Sequence, residues 1–209
     1  MKFRETNLSD IVKKAYVIPG NGHLPAFISM PSELRDILHE VYKNLGGTLN
    51  EAPFKFGSWD IVTKKFIIEL DEEQHFNRYR SITLKSPLYA DYQRFNVGDY
   101  NKYCSTWENS CFKKAKHGGY WTNASTERQF GEPGLNGDLS GNGSPRWKQR
   151  AYYDFCKDLY SKTTQIPLLR FSIYDKVDTN FGPMMLGNAL ESMEENAIIK
   201  FIETRIKQI

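Results

Sequence analysis

The sequence lacks the features that mark several large classes of protein. It has three cysteines, Cys104, Cys111 and Cys156, and no Cys-x-x-Cys pair, which favours reduced thiols over a disulfide framework. No apolar run approaches the roughly 18–20 residues that span a bilayer, and the first residues are polar, unlike a signal peptide. We therefore expect a cytoplasmic protein with no membrane partner.

Motifs of several common enzyme classes are missing as well. The chain has no Gly-x-x-x-x-Gly-Lys loop, no dinucleotide-binding glycine fingerprint and no Gly-x-Ser-x-Gly. These absences argue against nucleotide hydrolysis, a nucleotide cofactor and serine-hydrolase chemistry. The spacing of Cys104, Cys111, His117 and Cys156 matches no standard zinc finger, so we expect no structural zinc.

Positive charge is concentrated in the middle of the chain. The 209 residues carry a net charge of +3, but residues 76–150 hold 12 Lys/Arg against 6 Asp/Glu. A basic segment within an acidic frame is typical of a surface that binds phosphates. The candidate phosphate-binding residues are Arg78, Arg80, Lys85, Arg94, Lys113, Lys114, Lys116, Arg146 and Lys148. The alternative is a solvated basic face without a partner.

Hydrophobic periodicity predicts a mixed α/β domain. Helical spacing of apolar residues predicts helices over 32–45, with Ser32 as N-cap, and over 150–160 and 186–209. Strand patterns predict a hairpin over 59–71 and a strand over 166–173. The segment up to Pro31 is interpreted as a short element plus a loop. We expect one domain over 1–209, with a core at 32–88 and 149–209 and a long, loop-rich insertion at about 89–148.

Three carboxylates fall on the predicted hairpin. Asp60 lies on one strand, and Glu69 and Asp71 project from the same face of the next. Because only a short turn joins the strands, the three side chains can converge. Oxygen ligands of this kind suit Mg²⁺, and such an ion can promote phosphodiester hydrolysis. A solvent-facing strand edge with acidic residues is the plain alternative.

The hairpin also resembles a known family. Asp60 followed by Phe66-Ile67-Ile68-Glu69-Leu70-Asp71-Glu72-Glu73-Gln74-His75 resembles the PD-(D/E)xK nuclease superfamily, in its branch of very-short-patch-repair-like endonucleases. Glu33 in the first predicted helix, and Asp154-Phe155-Cys156-Lys157-Asp158-Leu159 before Leu168-Leu169-Arg170-Phe171, are similar to further motifs of that branch. The resemblance covers residues 32–85 and 150–175. The chain departs from the branch at Glu72, where glycine is usual, and in its insertion.

The resemblance implies a restriction-endonuclease-like fold, with a mixed central sheet flanked by helices, and a metal-dependent DNA endonuclease of a restriction or repair-nicking type. Asp60, Glu69 and Asp71 would bind Mg²⁺, for which Mn²⁺ can substitute. His75 would assist proton transfer, unless it only caps the sheet edge, and Glu33 would complete the acidic cluster. DNA is then the partner, and cutting two strands favours a homodimer. The alternative is a DNA-binding or protein-interaction module on the same fold that has lost catalysis.

Overall fold

A computed structural model describes residues 3–16, 30–90 and 95–208. The helices in these ranges are α1 (Phe3–Ala15), α2 (Ser32–Asn44), α3 (Arg78–Thr83), α4 (Val97–Thr106), α5 (Glu108–Ala115), α6 (Ala124–Phe130), α7 (Pro145–Thr164), α8 (Leu186–Glu191) and α9 (Glu195–Ile206). The strands are β1 (Ile61–Val62), β2 (Ile67–Asp71), β3 (Leu168–Ser172), β4 (Lys176–Thr179) and β5 (Gly182–Met185). No helix in the described part of the chain is long and apolar enough to cross a membrane.

A small mixed sheet lies at the centre, with strand order β1-β2-β3. β1 and β2 form an antiparallel hairpin, and β2 runs parallel to β3 with Glu69 opposite Arg170. Every residue of β2 and β3 is buried, as expected for parallel strands covered on both faces. The predicted hairpin, the β3 strand and the mixed α/β class are confirmed.

Helix α7 is the longest element and connects the two halves of the sheet. The Ser144 side chain accepts a hydrogen bond from the Trp147 backbone N–H, and Pro145 occupies the first turn, both favourable at a helix start. The helix ends at Gln165, whose φ is +60°. It is therefore longer at both ends than the predicted helix over 150–160. Trp147, Phe155 and other apolar side chains of α7 are fully buried, so the helix packs through the middle of the core.

The region 89–148 differs from the prediction of a loop-rich insertion, because it contains α4, α5 and α6. The side chains of Asn96 and Asn123 cap α4 and α6 by accepting hydrogen bonds from backbone N–H groups of the first turn. Trp121 and Trp147 are fully buried and meet edge to face, with ring centroids 5.6 Å apart. The region thus contributes helices and aromatic side chains to the common core.

The two ends of the chain also depart from the prediction. The helix predicted over 186–209 is divided into α8 and α9 at Met193, whose φ of +57° does not continue a helix. The β4–β5 hairpin before it was not predicted. Ser32 is the first residue of α2 and makes no capping bond, since Pro31 occupies the N-cap position. α1 is the short element expected near the start, and the loop predicted over 19–22 lies outside the described residues.

Candidate functional site

A cleft of about 670 Å³ lies between the start of α1, the central sheet and α7. Its acidic side chains are Asp60, Glu69, Glu72, Glu73 and Glu191, and its basic side chains are Arg4, Lys114, Arg146, Arg150 and Lys157. Gln74, His75, Tyr120 and Phe3 complete the lining. The cleft therefore combines groups that can bind cations with groups that can bind anions.

The hairpin holds Asp60 and Glu69 beside each other in the cleft. Asp60 Oδ2 accepts a hydrogen bond of 2.8 Å from the backbone N–H of Leu70. In return, the backbone N–H of Asp60 donates to Glu69 Oε1 over 3.1 Å. These two bonds fix one oxygen of each carboxylate to the strand pair, so the predicted convergence holds for Asp60 and Glu69.

Lys157 of α7 contacts this pair and lines the same cleft. Its Nζ donates to Glu69 Oε2 over 2.5 Å and to the Ser58 carbonyl over 2.9 Å. Burial raises the pKa of Glu69 to about 8, and Asp60 adds to this effect while Lys157 opposes it. The Glu69 carboxylate thus lacks full charge compensation even with the lysine in contact. Lys157 was not among the predicted site residues, although its place in the Asp154–Leu159 motif was a signal for it.

A hard divalent cation fits the donor set at this position. Asp60 and Glu69 are both carboxylates, both line the cleft, and oxygen donors are the ligands that Mg²⁺ prefers. A cation there would favour the ionised form of Glu69, which burial disfavours. Glu72 and Glu73 line the same cleft, and Glu73 pairs with Arg4 at 3.0 Å and with Lys114 at 3.1 Å.

His75 lines the cleft and is held by Asp154 of α7. The His75 Nδ1 atom lies 2.8 Å from Asp154 Oδ2 and 3.4 Å from Asp71 Oδ1. Burial alone would raise the pKa of Asp154, but His75 and nearby arginines hold it well below its usual range. An ionised Asp154 requires a donor, so Nδ1 carries the proton and Nε2 is left as the accepting nitrogen. The contact with Asp154 therefore fixes the orientation of the ring at the wall of the cleft.

Asp71 belongs to a buried network rather than to the cleft. Arg170 Nη1 donates to both of its carboxylate oxygens, over 2.7 and 2.9 Å, and Arg170 Nε donates to Asp158 Oδ1 over 2.9 Å. Arg80 Nη2 donates to the other Asp158 oxygen over 2.8 Å. These four side chains are at most 1% exposed. Asp71 does not line the cleft, so the structure separates it from the predicted partners Asp60 and Glu69.

Among the described residues, the structure brings together one group of three side chains that are close enough to share a metal ion. Ligand atoms of Asp71, His75 and Asp154 all lie within 4.8 Å of one another. These atoms already bind protein cations and donors, since Arg170 holds both oxygens of Asp71 and His75 holds Asp154. A second cation would lie against the Arg170 guanidinium, so the arrangement favours a structural role over metal binding.

Most of the cleft residues lie in a region of the chain that matches a protein family. A family of unknown function, DUF7255, matches residues 40–192. The chain belongs to DUF7255. No curated protein and no solved structure matches the chain. The DUF7255 region contains Asp60, Glu69, His75 and Lys157, whereas Arg4 and Glu33 lie outside it.

The predicted phosphate-binding residues of the DUF7255 region fall into three groups. Arg80 and Lys148 are buried, Arg80 against Asp158 and Lys148 against Asn142, so neither side chain is exposed to a phosphate in this conformation. Lys114 and Arg146 line the cleft. The remaining described members, Arg78, Lys85, Lys113 and Lys116, lie outside it, with Arg78 paired to Glu108 at 2.8 Å. Arg94 lies outside the described residues.

Two further predictions concern Glu33 and the cysteines. Glu33, at the start of α2, is exposed and is not part of the cleft lining, so it does not complete the acidic cluster. The three DUF7255 cysteines are free and buried, and burial raises the pKa of each thiol to about 12. Protonated, buried thiols of this kind behave as small apolar side chains.

Proposed function

We propose that this protein is a metal-dependent DNA endonuclease. The observation that carries the proposal is the placement of Asp60 and Glu69 beside each other in one cleft with Lys157 and His75. Phosphodiester hydrolysis needs charge stabilisation, an activated water and a means of holding phosphates, and these side chains provide groups for each. The resemblance of residues 32–85 and 150–175 to PD-(D/E)xK nucleases points to the same chemistry.

Asp60 and Glu69 would hold the divalent cation, with Mg²⁺ as the expected ion and Mn²⁺ as a substitute. The bound ion would stabilise negative charge on the reacting phosphate and lower the pKa of a bound water. The two backbone hydrogen bonds of the hairpin keep both carboxylates in place for this task. Lys157 binds the second oxygen of Glu69, Oε2, and so holds the carboxylate at the wall of the cleft.

His75 would take the proton of the attacking water at Nε2. Asp154 fixes the tautomer and the orientation of the ring through Nδ1, and it stabilises the imidazolium that proton transfer creates. Asp71 and Arg170 act one step further away, because they hold the strand end from which the His75 segment leaves. In this proposal Asp71 is a positioning residue and binds no metal.

Cleavage of a supercoiled plasmid tests the function. Wild-type protein with Mg²⁺ or Mn²⁺ should produce nicked or linear DNA, and EDTA should abolish the reaction. Asp60→Asn should lower the cleavage rate by at least about 100-fold, because the amide is a weaker metal ligand than the carboxylate but has nearly the same size. Asp178→Asn, in an exposed aspartate of β4 outside the cleft, is the matched control. Equal cleavage by Asp60→Asn and wild type would contradict the proposal.

A catalytically inactive binding module is the second candidate. The contact of Lys157 with Glu69 favours it, because the lysine already neutralises part of the charge that a cation would need. Glu72 also occupies the position at which the nucleases that this chain resembles have glycine. In that case the plasmid would be retarded on a gel but not cut under any metal condition.

A nuclease that cuts both strands would further be expected to act as a homodimer.

A further inference from the structure

Two arginines of the cleft form no ion pair with any residue that the structure describes. Arg146 and Arg150 lie four residues apart on α7 and therefore on the same face of the helix. Within the described ranges, neither has a carboxylate oxygen within the 4.0 Å of an ion pair, and Arg146 instead donates to the Gln149 side chain. The Nη1 atom of Arg150 is buried and has no hydrogen-bond partner among the described residues.

The other cations of the cleft are all paired. Arg4 and Lys114 contact Glu73, and Lys157 contacts Glu69. A buried N–H donor without a partner, such as Nη1 of Arg150, is costly to the folded state, and a second arginine on the same helical face adds repulsion. Burial and the neighbouring Arg146 both lower the pKa of Arg150, with Asp154 only partly opposing them. The position therefore has an excess of positive charge that an anion would compensate.

We propose that Arg146 and Arg150 form a phosphate-binding subsite in the cleft that contains Asp60 and Glu69. Guanidinium groups present several N–H donors in a plane and bind phosphate oxygens in pairs. Tyr120 lines the same cleft and is 57% exposed, so its ring offers a surface on which a base next to the phosphate can stack.

The subsite rests on the proposed function for the identity of its ligand. A nuclease would place a backbone phosphodiester of DNA here, next to the one that is cut. A terminal phosphate monoester offers the same oxygens and would bind the same two arginines. The two sources differ in whether a free phosphate end is required, and this difference can be measured.

Salt-dependent DNA binding in EDTA tests the subsite without any cleavage. Fluorescence anisotropy is measured on a DNA duplex and on single strands with a 5′-hydroxyl or a 5′-phosphate, over a range of salt concentrations. The affinity falls as salt rises, so the slope of log K against log salt is negative. Each lost phosphate contact makes this slope shallower by about 0.9 for duplex and about 0.7 for single strands. Arg150→Gln and Arg146→Gln should each show this loss, whereas Lys200→Gln, an exposed lysine of α9 outside the cleft, should not.

A thermal melt distinguishes the subsite from a structural role. Because Arg150 Nη1 has no partner to lose, Arg150→Gln should melt at the wild-type temperature or above it. Arg150→Lys keeps the charge and should keep most of the salt slope. A lower melting temperature for Arg150→Gln, together with an unchanged salt slope, would overturn the proposal.

The failure of the subsite and the failure of the nuclease give different results. If Arg150→Gln and Arg146→Gln leave the salt slope unchanged while plasmid cleavage still depends on Asp60, the subsite is wrong and the nuclease stands. If both variants lower the slope but no metal supports cleavage, the subsite stands and the nuclease is wrong. Binding that needs a 5′-phosphate, and that inorganic phosphate competes away in wild type but not in Arg150→Gln, assigns the subsite to a terminal phosphate.

Discussion

Two sets of charged residues lie side by side in this protein, and they differ in how completely their charges are paired. In the buried network, Arg170 and Arg80 meet Asp71 and Asp158 at 2.7–2.9 Å with at most 1% exposure. In the cleft, burial raises the pKa of Glu69 although Lys157 is in contact with it, and Arg146 and Arg150 form no ion pair with any described residue. The comparison teaches that charge alone does not identify a functional site. Paired and buried charges hold the sheet to α7, while incompletely paired ones are available to a ligand.

Helix α3 offers a test of the role of the buried network, because it carries one arginine in a buried ion pair and one in an exposed ion pair. Arg80 is buried against Asp158, whereas Arg78 forms an ion pair with Glu108 and is 49% exposed. Arg80→Met should cost about 3–5 kcal/mol of unfolding free energy, since it breaks a buried pair. Arg78→Met should cost less than about 1 kcal/mol, as is usual for surface pairs. Urea unfolding followed by circular dichroism measures both.

The comparison fails if the two α3 variants lose the same stability. That result would mean that the network contributes no more than a surface ion pair, and that its burial does not mark it as structural. Retained DNA binding by Arg80→Met, under conditions where the variant is folded, would further support the conclusion that Arg80 does not contact phosphates.

Two aspartates, Asp154 and Asp175, should show opposite pH effects. Burial raises the pKa of Asp175 to about 6, and its ion pair with Arg205, 3.9 Å long, does not offset this effect. Burial also acts to raise the pKa of Asp154. There, however, His75 and Arg170 hold the pKa well below its usual range. Asp175 therefore lowers stability as the pH rises from about 3.9, its value in an unfolded chain, to about 6. Asp154 instead contributes stability above about pH 4, which is lost at lower pH.

The variants turn these signs into a measurement. Asp175→Asn should gain stability relative to wild type between pH 4 and 6, by up to about 3 kcal/mol. Asp154→Asn should be less stable than wild type at pH 7, and its deficit should shrink as the pH falls below about 4. Urea unfolding at a series of pH values gives both curves. Parallel curves for the two variants would show that the pairing of Asp154 and the incomplete pairing of Asp175 do not differ energetically.

The cysteines provide the smallest effect and a probe of packing around the network. All three thiols are buried with pKa values raised to about 12, so a thiol reagent at pH 8 should label none of them in folded wild type and all of them in urea. Arg80→Met should accelerate labelling of Cys104, because loss of the buried Arg80–Asp158 pair should loosen α3, which packs against α4 and its Cys104. Rapid labelling of native wild type would contradict this packing.

The sequence predicted the elements whose signal is local. Helix α2 and the β1–β2 hairpin follow from apolar periodicity, and the hairpin placed Asp60 beside Glu69 because the two positions are joined by a short turn. The helices of the 89–148 region were missed even though Asn96 and Asn123 are good N-cap residues. The break between α8 and α9 has no glycine or proline to signal it, since Met193 adopts the left-handed conformation.

The pairing of distant charges could not be predicted from the sequence. Arg80 and Asp158 are 78 residues apart, and Arg170 and Asp71 are 99 apart. A charged residue that is buried and one that is exposed look the same in a pattern of charges, so Arg80 and Lys148 were predicted to contact phosphates. For the same reason Asp71 was grouped with Asp60 and Glu69, although Arg170 holds it in the network.

Binding of Mn²⁺ tests most directly the claim that the incompletely paired carboxylates are the functional ones. Electron paramagnetic resonance measures free Mn²⁺ during titration of wild type, Asp60→Asn, Asp71→Asn and the control Asp178→Asn, each verified as folded by circular dichroism. We predict that wild type, Asp71→Asn and Asp178→Asn bind the ion and that Asp60→Asn does not. Loss of binding in Asp71→Asn with retained binding in Asp60→Asn would contradict the account and move the metal site to the Asp71–His75–Asp154 group.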